Sequence, residues 1–238
     1  MELTPASIVR LPVALDAASV AALTRDFHGA LASAAPIVAL VGAGADTFCL
    51  GLAVGSGVDG AAPTHAFSDL LTAMHQSPKP LLASVDGRAI GGGLGIACAC
   101  DWVVATDRAT FALPELLWGL VPAIIWPVLT DRMAPHAVRQ WTLAAHSRSA
   151  VEAVAAGLVD DLVASATLDR AIERATRKLR RLDPDALRHL RRWARESRQY
   201  DLPAALRHGA ELTAAMLRES SVQQRWQAFA AGESPWSA

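Results

Sequence analysis

Apolar positions along the chain follow two different spacings. In SVAALTRDFHGALAS (residues 19–33) and AFSDLLTAMHQS (66–77) they recur every three to four residues, which predicts amphipathic helices. PIVALVGAG (36–44), KPLLASVDG (79–87) and DWVVAT (101–106) instead hold short continuous apolar runs. Such runs predict strands covered on both faces. TFALPE (110–115) predicts a fourth, shorter strand, and a helix is expected from about Gly93. Strand, helix, strand, helix, strand in this order is the pattern of an α/β protein with parallel strands.

From about Pro135 onward the spacing is helical. Ser149-x-x-Glu152 has the form of a capping box, Gly157 of a helix stop, and Asp183-Pro184 of a cap followed by a first-turn proline. Residues 166–238 carry charged amphipathic helices without a strand signal. They are too polar to form a core alone, so they are expected to pack on the α/β body or on a neighbouring subunit. The expected organisation is therefore a core over residues 1–165 and a helical region over 166–238.

Composition narrows the class. The chain has 238 residues, 52% hydrophobic and 19% charged, which argues for an ordered globular protein. A net charge of −1 does not suggest a nucleic-acid binder. The charge is uneven: residues 170–198 hold eleven Arg or Lys against four acids. Cys49, Cys98 and Cys100 have no disulfide-framework or metal-site spacing and read as small core residues; no metal is expected. MELTPASIVR lacks the pattern of a signal peptide. LLWGLVPAIIWPVL (116–129) is shorter than the roughly 20 residues of a membrane helix and contains Pro122 and Pro127. A soluble, cytoplasmic protein with no membrane contact is expected.

The glycine run in AIGGGLGIACAC (89–100) bears on chemistry. It is not a dinucleotide-binding fingerprint: counting from Gly91 the third glycine position is Ile96, and counting from Gly42 it is Thr47. No G-K-[ST] occurs, which removes a P-loop. Two readings remain. Gly91–Gly93 can be a tight helix start packed on a strand. They can also be an oxyanion hole, where free amides at a helix start meet a developing enolate oxygen, each donor contributing about 3–4 kcal/mol. GAGADTFCLGLAV (42–54) supplies a second strand-to-loop site at Gly51. In FALPELLWGLVPA (111–123) Glu115 follows a proline among apolar residues. It reads either as a carboxyl with a raised pKa, suited to moving a proton, or as a first-turn helix acid.

Taken in order, GADTFCLG, KPLLASVDGRAIGGGLGIACACD, FALPELLWGLVP and AVEAVAAGLVD resemble the crotonase (enoyl-CoA hydratase/isomerase) superfamily across about residues 36–163. The resemblance implies a ββα spiral with C-terminal helices that build a homotrimer or a dimer of trimers. It implies an acyl thioester, carried on CoA or on phosphopantetheine of an acyl carrier protein, with no further cofactor. By motif position the oxyanion amides would be those of Leu52 and Gly92. Gly51, Gly91, Gly93, Gly95 and Trp118 would touch the substrate, and Glu115 would be the catalytic acid/base.

Two positions depart from the family pattern. The first hydratase glutamate is Gly95 here, and the usual Asp after the first oxyanion residue is Ala53. LPELLWGLVPAIIWPVL further resembles the dehydratases of polyketide β-branching, which act on a carrier-bound 3-hydroxy-3-methylglutaryl group. The expectation is dehydration, or hydration, of a β-hydroxyacyl thioester. The alternatives are isomerisation or decarboxylation within the superfamily, or a non-catalytic thioester-binding accessory protein. The basic helices suit an acidic carrier or CoA phosphates, or are a solvated surface. His65 and His75 flank the segment after the first oxyanion position and read as surface or loop residues. Trp126 reads as core or pocket wall, and Asp101 as a brace at a strand start.

Overall fold

The three continuous apolar runs become neighbouring parallel strands of one sheet, and the shorter strand expected over residues 110–115 belongs to a second. The computed structural model describes residues 6–42, 44, 46–53 and 61–233. The strands are β1 (Ser7–Arg10), β2 (Val38–Val41), β3 (Thr47–Cys49), β4 (Leu81–Val85), β5 (Arg88–Ile90), β6 (Trp102–Thr106), β7 (Thr110–Ala112), β8 (Arg148–Ser149) and β9 (Asp161–Val163). One sheet runs β1-β2-β4-β6-β9 and is parallel throughout; Val38 pairs with Leu81, and Leu82 with Trp102. The other runs β3-β5-β7-β8, parallel except for the antiparallel β7/β8 pair.

The helices are α1 (Ala17–Ala32), α2 (Ala61–His75), α3 (Gly92–Cys98), α4 (Trp126–Arg132), α5 (Pro135–Ala144), α6 (Ala150–Ala155), α7 (Leu168–Leu179), α8 (Pro184–Glu196), α9 (Leu202–Met216) and α10 (Ser220–Ala230). One unit repeats along the chain. A buried strand of the first sheet turns into a short strand of the second, and then into a helix: β2-β3-α2, then β4-β5-α3, then β6-β7 with a 3-10 turn and α4. This is the ββα spiral. The ends of β3, β5 and β7 lie side by side in the second sheet, so the segments that follow them meet in space.

Phe27, Phe48, Phe67 and Phe111 are fully buried at the centre of the core. Asp101 braces a strand start as expected, accepting a 2.7 Å bond from the Leu81 amide. Arg132, on α4, donates to the carbonyls of Leu158 and Cys100 and pairs with Asp160, tying that helix to the ends of β6 and β9. Cys49, Cys98 and Cys100 are buried free thiols, and burial pushes Cys98 up to about 12 and Cys49 to about 11.

Three readings of the sequence need adjustment. The second-sheet strands β3 and β5 were not expected. The region after Pro135 is not helical throughout: β8 pairs with β7, and β9 completes the first sheet. The boundary expected after residue 165 falls inside the first of two compact units, Met1–Arg180 and Arg181–Ala238. In the first unit α7 packs on β6 and β4, and Lys178 lies 4.8 Å from the Trp102 ring centroid. The capping box is present, with Ser149 and Glu152 bonded reciprocally, and Gly157 has the positive φ of a helix stop.

In the second unit Asp183 caps α8 through the Ala186 amide and pairs with Arg225. Leu187 is the unit's one buried residue among those described. That fits a segment too polar to build its own core.

Candidate active site

The segments leaving β3, β5 and β7 converge on one cavity of about 190 Å³. Gly51 and Leu52 follow β3, Gly91 and Gly92 follow β5, and Glu115 follows β7; all five line the cavity.

Close backbone approach explains the glycines. A β-carbon on Gly51 would fall 2.7 Å from the Gly92 nitrogen and 2.7 Å from the Ile90 carbonyl oxygen. Gly51 also has φ +82°, a region other residues adopt only under strain. The two loops are thus in direct backbone contact, which brings the Leu52 and Gly92 amides to one wall.

Both amides lie outside the regular ladders. Leu15 donates to the Gly51 carbonyl and accepts from the Ala53 amide, so the bridge to residues 13–15 uses both neighbours of Leu52 and not its own N–H. Gly92 is the first residue of α3 and its N–H has no acceptor in that helix. These are the two amides that the family resemblance implies.

Glu115 opens a 3-10 turn (Glu115–Trp118) after Pro114; the Leu117 amide donates to the Pro114 carbonyl and the Leu120 amide to that of Glu115. This turn aims the side chain back over Gly91, where a β-carbon at residue 91 would lie 2.8 Å from Glu115 Oε1. Glu115 Oε2 is buried and has no hydrogen-bond partner. Burial raises the carboxyl above its usual 4.5, with its own backbone N–H opposing that rise. A buried carboxylate oxygen without a protein partner is costly, and such a group is suited to accepting a proton from a bound molecule.

The expected site residues divide into two groups. Leu52, Gly92, Glu115, Gly51, Gly91 and Trp118 all line the cavity. Gly93 and Gly95 do not. A β-carbon at Gly93 would stand 2.1 Å from the Cys49 carbonyl oxygen, so that glycine lets α3 pack on β3. A β-carbon at Gly95 would stand 2.3 Å from Ile125 Cγ2, so the place of a second carboxyl is filled by hydrocarbon. The role expected for these two as substrate contacts is corrected to packing.

Trp126 packs against the core and does not line the cavity; His65 and His75 sit on α2 and do not line it either. Sequence reasoning missed Thr64, Phe67, Leu120, Ile124 and Ile125 as wall residues. The only signals were the helical spacing around Phe67 and the apolar run that holds Ile124 and Ile125.

Residues 13–237 match the family description enoyl-CoA hydratase/isomerase. The chain belongs to the enoyl-CoA hydratase/isomerase family. Within it, carnitinyl-CoA dehydratase of Escherichia coli K12 is 34% identical over 145 residues, covering 58% of this chain and 56% of that protein. The Proteus mirabilis protein of the same name is 31% identical over 137 residues, covering 56% and 52%. The chain thus spans a little over half the length of the curated relatives it matches.

Among solved structures of enoyl-CoA hydratase/isomerase proteins, the Bacillus anthracis enoyl-CoA hydratase superposes with a TM-score of 0.83 at 22% identity, covering 96% of this chain and 94% of that one. An enoyl-CoA hydratase/isomerase from Marinobacter aquaeolei gives 0.79 at 25% identity, covering 94% and 91%. These matches establish the crotonase-type fold. No helix among the described residues is long and apolar enough to cross a membrane.

Proposed function

We propose that the protein is an enzyme that dehydrates a 3-hydroxyacyl thioester, or hydrates the enoyl product in reverse, with Glu115 as its proton carrier. The observation that carries this reading is that Glu115, one of whose carboxylate oxygens is buried without a hydrogen-bond partner, lines the same cavity as Leu52 and Gly92.

With the thioester carbonyl oxygen on the Leu52 and Gly92 amides, the α-carbon faces Glu115. The carboxylate takes the α-proton, and the C–H electron pair moves into an enolate whose oxygen the two N–H groups stabilise. The electron pair then forms the Cα=Cβ bond as the β-hydroxyl leaves. Glu115 returns the proton to that oxygen and water departs. Among the described residues Glu115 is the only carboxyl in the cavity wall, because Ile125 fills the space beside Gly95. Removal and return of the proton therefore occur on one face of the substrate.

Relatives named carnitinyl-CoA dehydratase support dehydration of a CoA thioester. The narrower expectation, a 3-hydroxy-3-methylglutaryl group on an acyl carrier protein, rests on the sequence resemblance alone. A single carboxyl also suits double-bond isomerisation, in which the same group moves a proton between two carbons.

Incubation with 3-hydroxyacyl and enoyl thioesters, on CoA and on carrier protein, followed by mass spectrometry, decides among these. Loss of one water supports dehydration, unchanged mass with a shifted double bond supports isomerisation, and loss of CO₂ supports decarboxylation. Thioester binding without turnover on any substrate would leave an accessory binding role and remove the enzymatic reading.

A further inference from the structure

Elimination by one carboxyl leaves a requirement that Glu115 alone does not meet. The group that takes the α-proton also returns it to the β-oxygen, so that oxygen must stay on the Glu115 side of the substrate. The Cα–Cβ bond is single before elimination and turns freely unless something holds the oxygen. Negative charge also builds on the β-oxygen as the C–O bond breaks, and a placed hydrogen-bond donor stabilises it. No second carboxyl supplies these functions beside Gly95, where Ile125 fills the space.

Thr64 carries the one side-chain hydroxyl in the cavity wall among the described residues. The wall's remaining polar side chain besides Glu115 is Trp118, which is 60% exposed. Thr64 lies on α2, three residues before Phe67, and both line the cavity, as neighbours on one helix face do. Phe67 is fully buried, and its ring comes within 3.3 Å of where a Gly92 β-carbon would stand. Glu115 Oε1 approaches the corresponding point at Gly91 to 2.8 Å. The carboxyl and the Thr64 face of α2 thus meet consecutive residues of one turn, the turn that carries the Gly92 amide. A hydroxyl has one donor and two acceptor sites, so it can serve a substrate oxygen in addition to an interaction within the protein.

We propose that Thr64 is a second catalytic residue, whose hydroxyl donates a hydrogen bond to the β-oxygen of a bound 3-hydroxyacyl thioester. The bond holds that oxygen toward Glu115 and stabilises it as it leaves. No proton is transferred at Thr64. The α-proton passes to Glu115 and from there to the β-oxygen, the C–O electron pair leaves with that oxygen, and the products are water and the enoyl thioester. The inference rests on the dehydration reading above; a double-bond isomerase has no β-oxygen for this hydroxyl to hold.

The test uses the intact protein with Thr64→Val, which keeps the shape and removes the hydroxyl, and Thr64→Ser, which keeps the hydroxyl. Thr64→Ala replaces the valine variant if the latter does not fold. The first readout is the rate of crotonyl-CoA hydration. Thr64→Val is expected to lower it at least about tenfold, and Thr64→Ser to retain most of it. The second readout is isothermal titration with 3-hydroxybutyryl-CoA and butyryl-CoA, which differ only in the β-hydroxyl, in a Glu115→Gln background that blocks turnover. The preference for the hydroxylated thioester is expected to fall about three- to tenfold in Thr64→Val and to persist in Thr64→Ser, while butyryl-CoA binding stays unchanged. A structural role would weaken both thioesters alike and would not be rescued by serine, and that result overturns the inference. So does an unchanged hydration rate in Thr64→Val, which leaves the Glu115 reaction standing. If the unaltered protein forms and hydrates no enoyl thioester, the dehydration reading itself falls, and the inference with it.

Discussion

The Glu115 carboxylate lies over Gly91, in the space a side chain at residue 91 would need. A β-carbon there would approach Glu115 Oε1 to 2.8 Å. Gly91 also has φ +51° and ψ −116°, a conformation that an L-residue with a side chain adopts only at a cost of about 1–3 kcal/mol. The absence of a side chain at Gly91 and the position of the carboxyl are therefore one feature. Gly91→Ala is expected to lower stability by about 1–3 kcal/mol and to displace the carboxylate. Turnover is expected to fall much more than thioester binding. Steady-state kinetics beside titration with a saturated thioester reads the two effects separately, and equal losses in both would contradict this role for Gly91.

Glu115→Gln keeps the size of the side chain and removes the base. Turnover is expected to fall by about 10²-fold or more while thioester binding persists. In the unaltered protein kcat/KM for dehydration is expected to rise with pH through a value above 4.5, because burial raises the carboxyl and only its ionised form accepts the α-proton. Stability has the opposite sign. A carboxyl whose folded pKa is raised contributes stability below its unfolded pKa, and that contribution is lost as pH rises through the folded value. Glu115→Gln is therefore expected to be the more stable protein at neutral pH, with the difference shrinking as pH falls toward 4.5. Denaturation midpoints measured across pH check this.

Which parts of the structure could be read from sequence follows from segment length and from what decides each contact. β2, β4 and β6 are the buried cores of continuous apolar runs, and such runs stand out in sequence. β3 and β5 have three residues each, too few to show alternation, and their pairing is set by the turns at Asp46 and Gly87. There the Arg88 amide bonds to the Asp46 carbonyl, and the Thr110 amide to that of Gly87.

The same distinction holds in the site. Glu115, Gly92 and Leu52 sit at motif positions next to proline or glycine. Gly93 and Gly95 belong to the same motif, but their neighbours are Cys49 and Ile125, which are distant in sequence. No local pattern reports those contacts. Phe67, a wall residue, is indistinguishable in sequence from any apolar helix position.

Arg132 is a structural cation of the first unit. Its guanidinium side chain is 11% exposed, pairs with Asp160, and donates to the carbonyls of Leu158 (2.9 Å) and Cys100 (3.0 Å). Asp160 in turn accepts a 2.7 Å bond from the Val103 amide. Arg132→Met keeps much of the aliphatic stem but takes the guanidinium from the two carbonyls and from Asp160, which retains the Val103 amide. Removing one partner of a fully buried pair costs about 3–5 kcal/mol; with Asp160 29% exposed, a smaller loss of about 1–3 kcal/mol in urea denaturation is expected. A loss below about 1 kcal/mol would class the pair with exposed ion pairs instead.

Gly95 and Ile125 test the packing that displaces a second carboxyl from the site. Gly95→Ala places a β-carbon 2.3 Å from Ile125 Cγ2, an overlap that repacking relieves at a cost of about 1–3 kcal/mol. Ile125→Ala alone empties a buried position and is expected to cost about 2–5 kcal/mol. In the double variant the new methyl group enters the space vacated by the isoleucine. Its total cost is then expected to be smaller than the sum of the two single costs by about 1 kcal/mol or more, a coupling typical of residues in contact. Additive costs in a double-mutant denaturation cycle would mean that the isoleucine does not hold the glycine's place. The cycle also has a catalytic readout, because Ile125→Ala enlarges the cavity wall. Its KM is expected to fall for thioesters with longer aliphatic chains relative to short ones, a change that Gly95→Ala, which removes no atom from the wall, is not expected to produce.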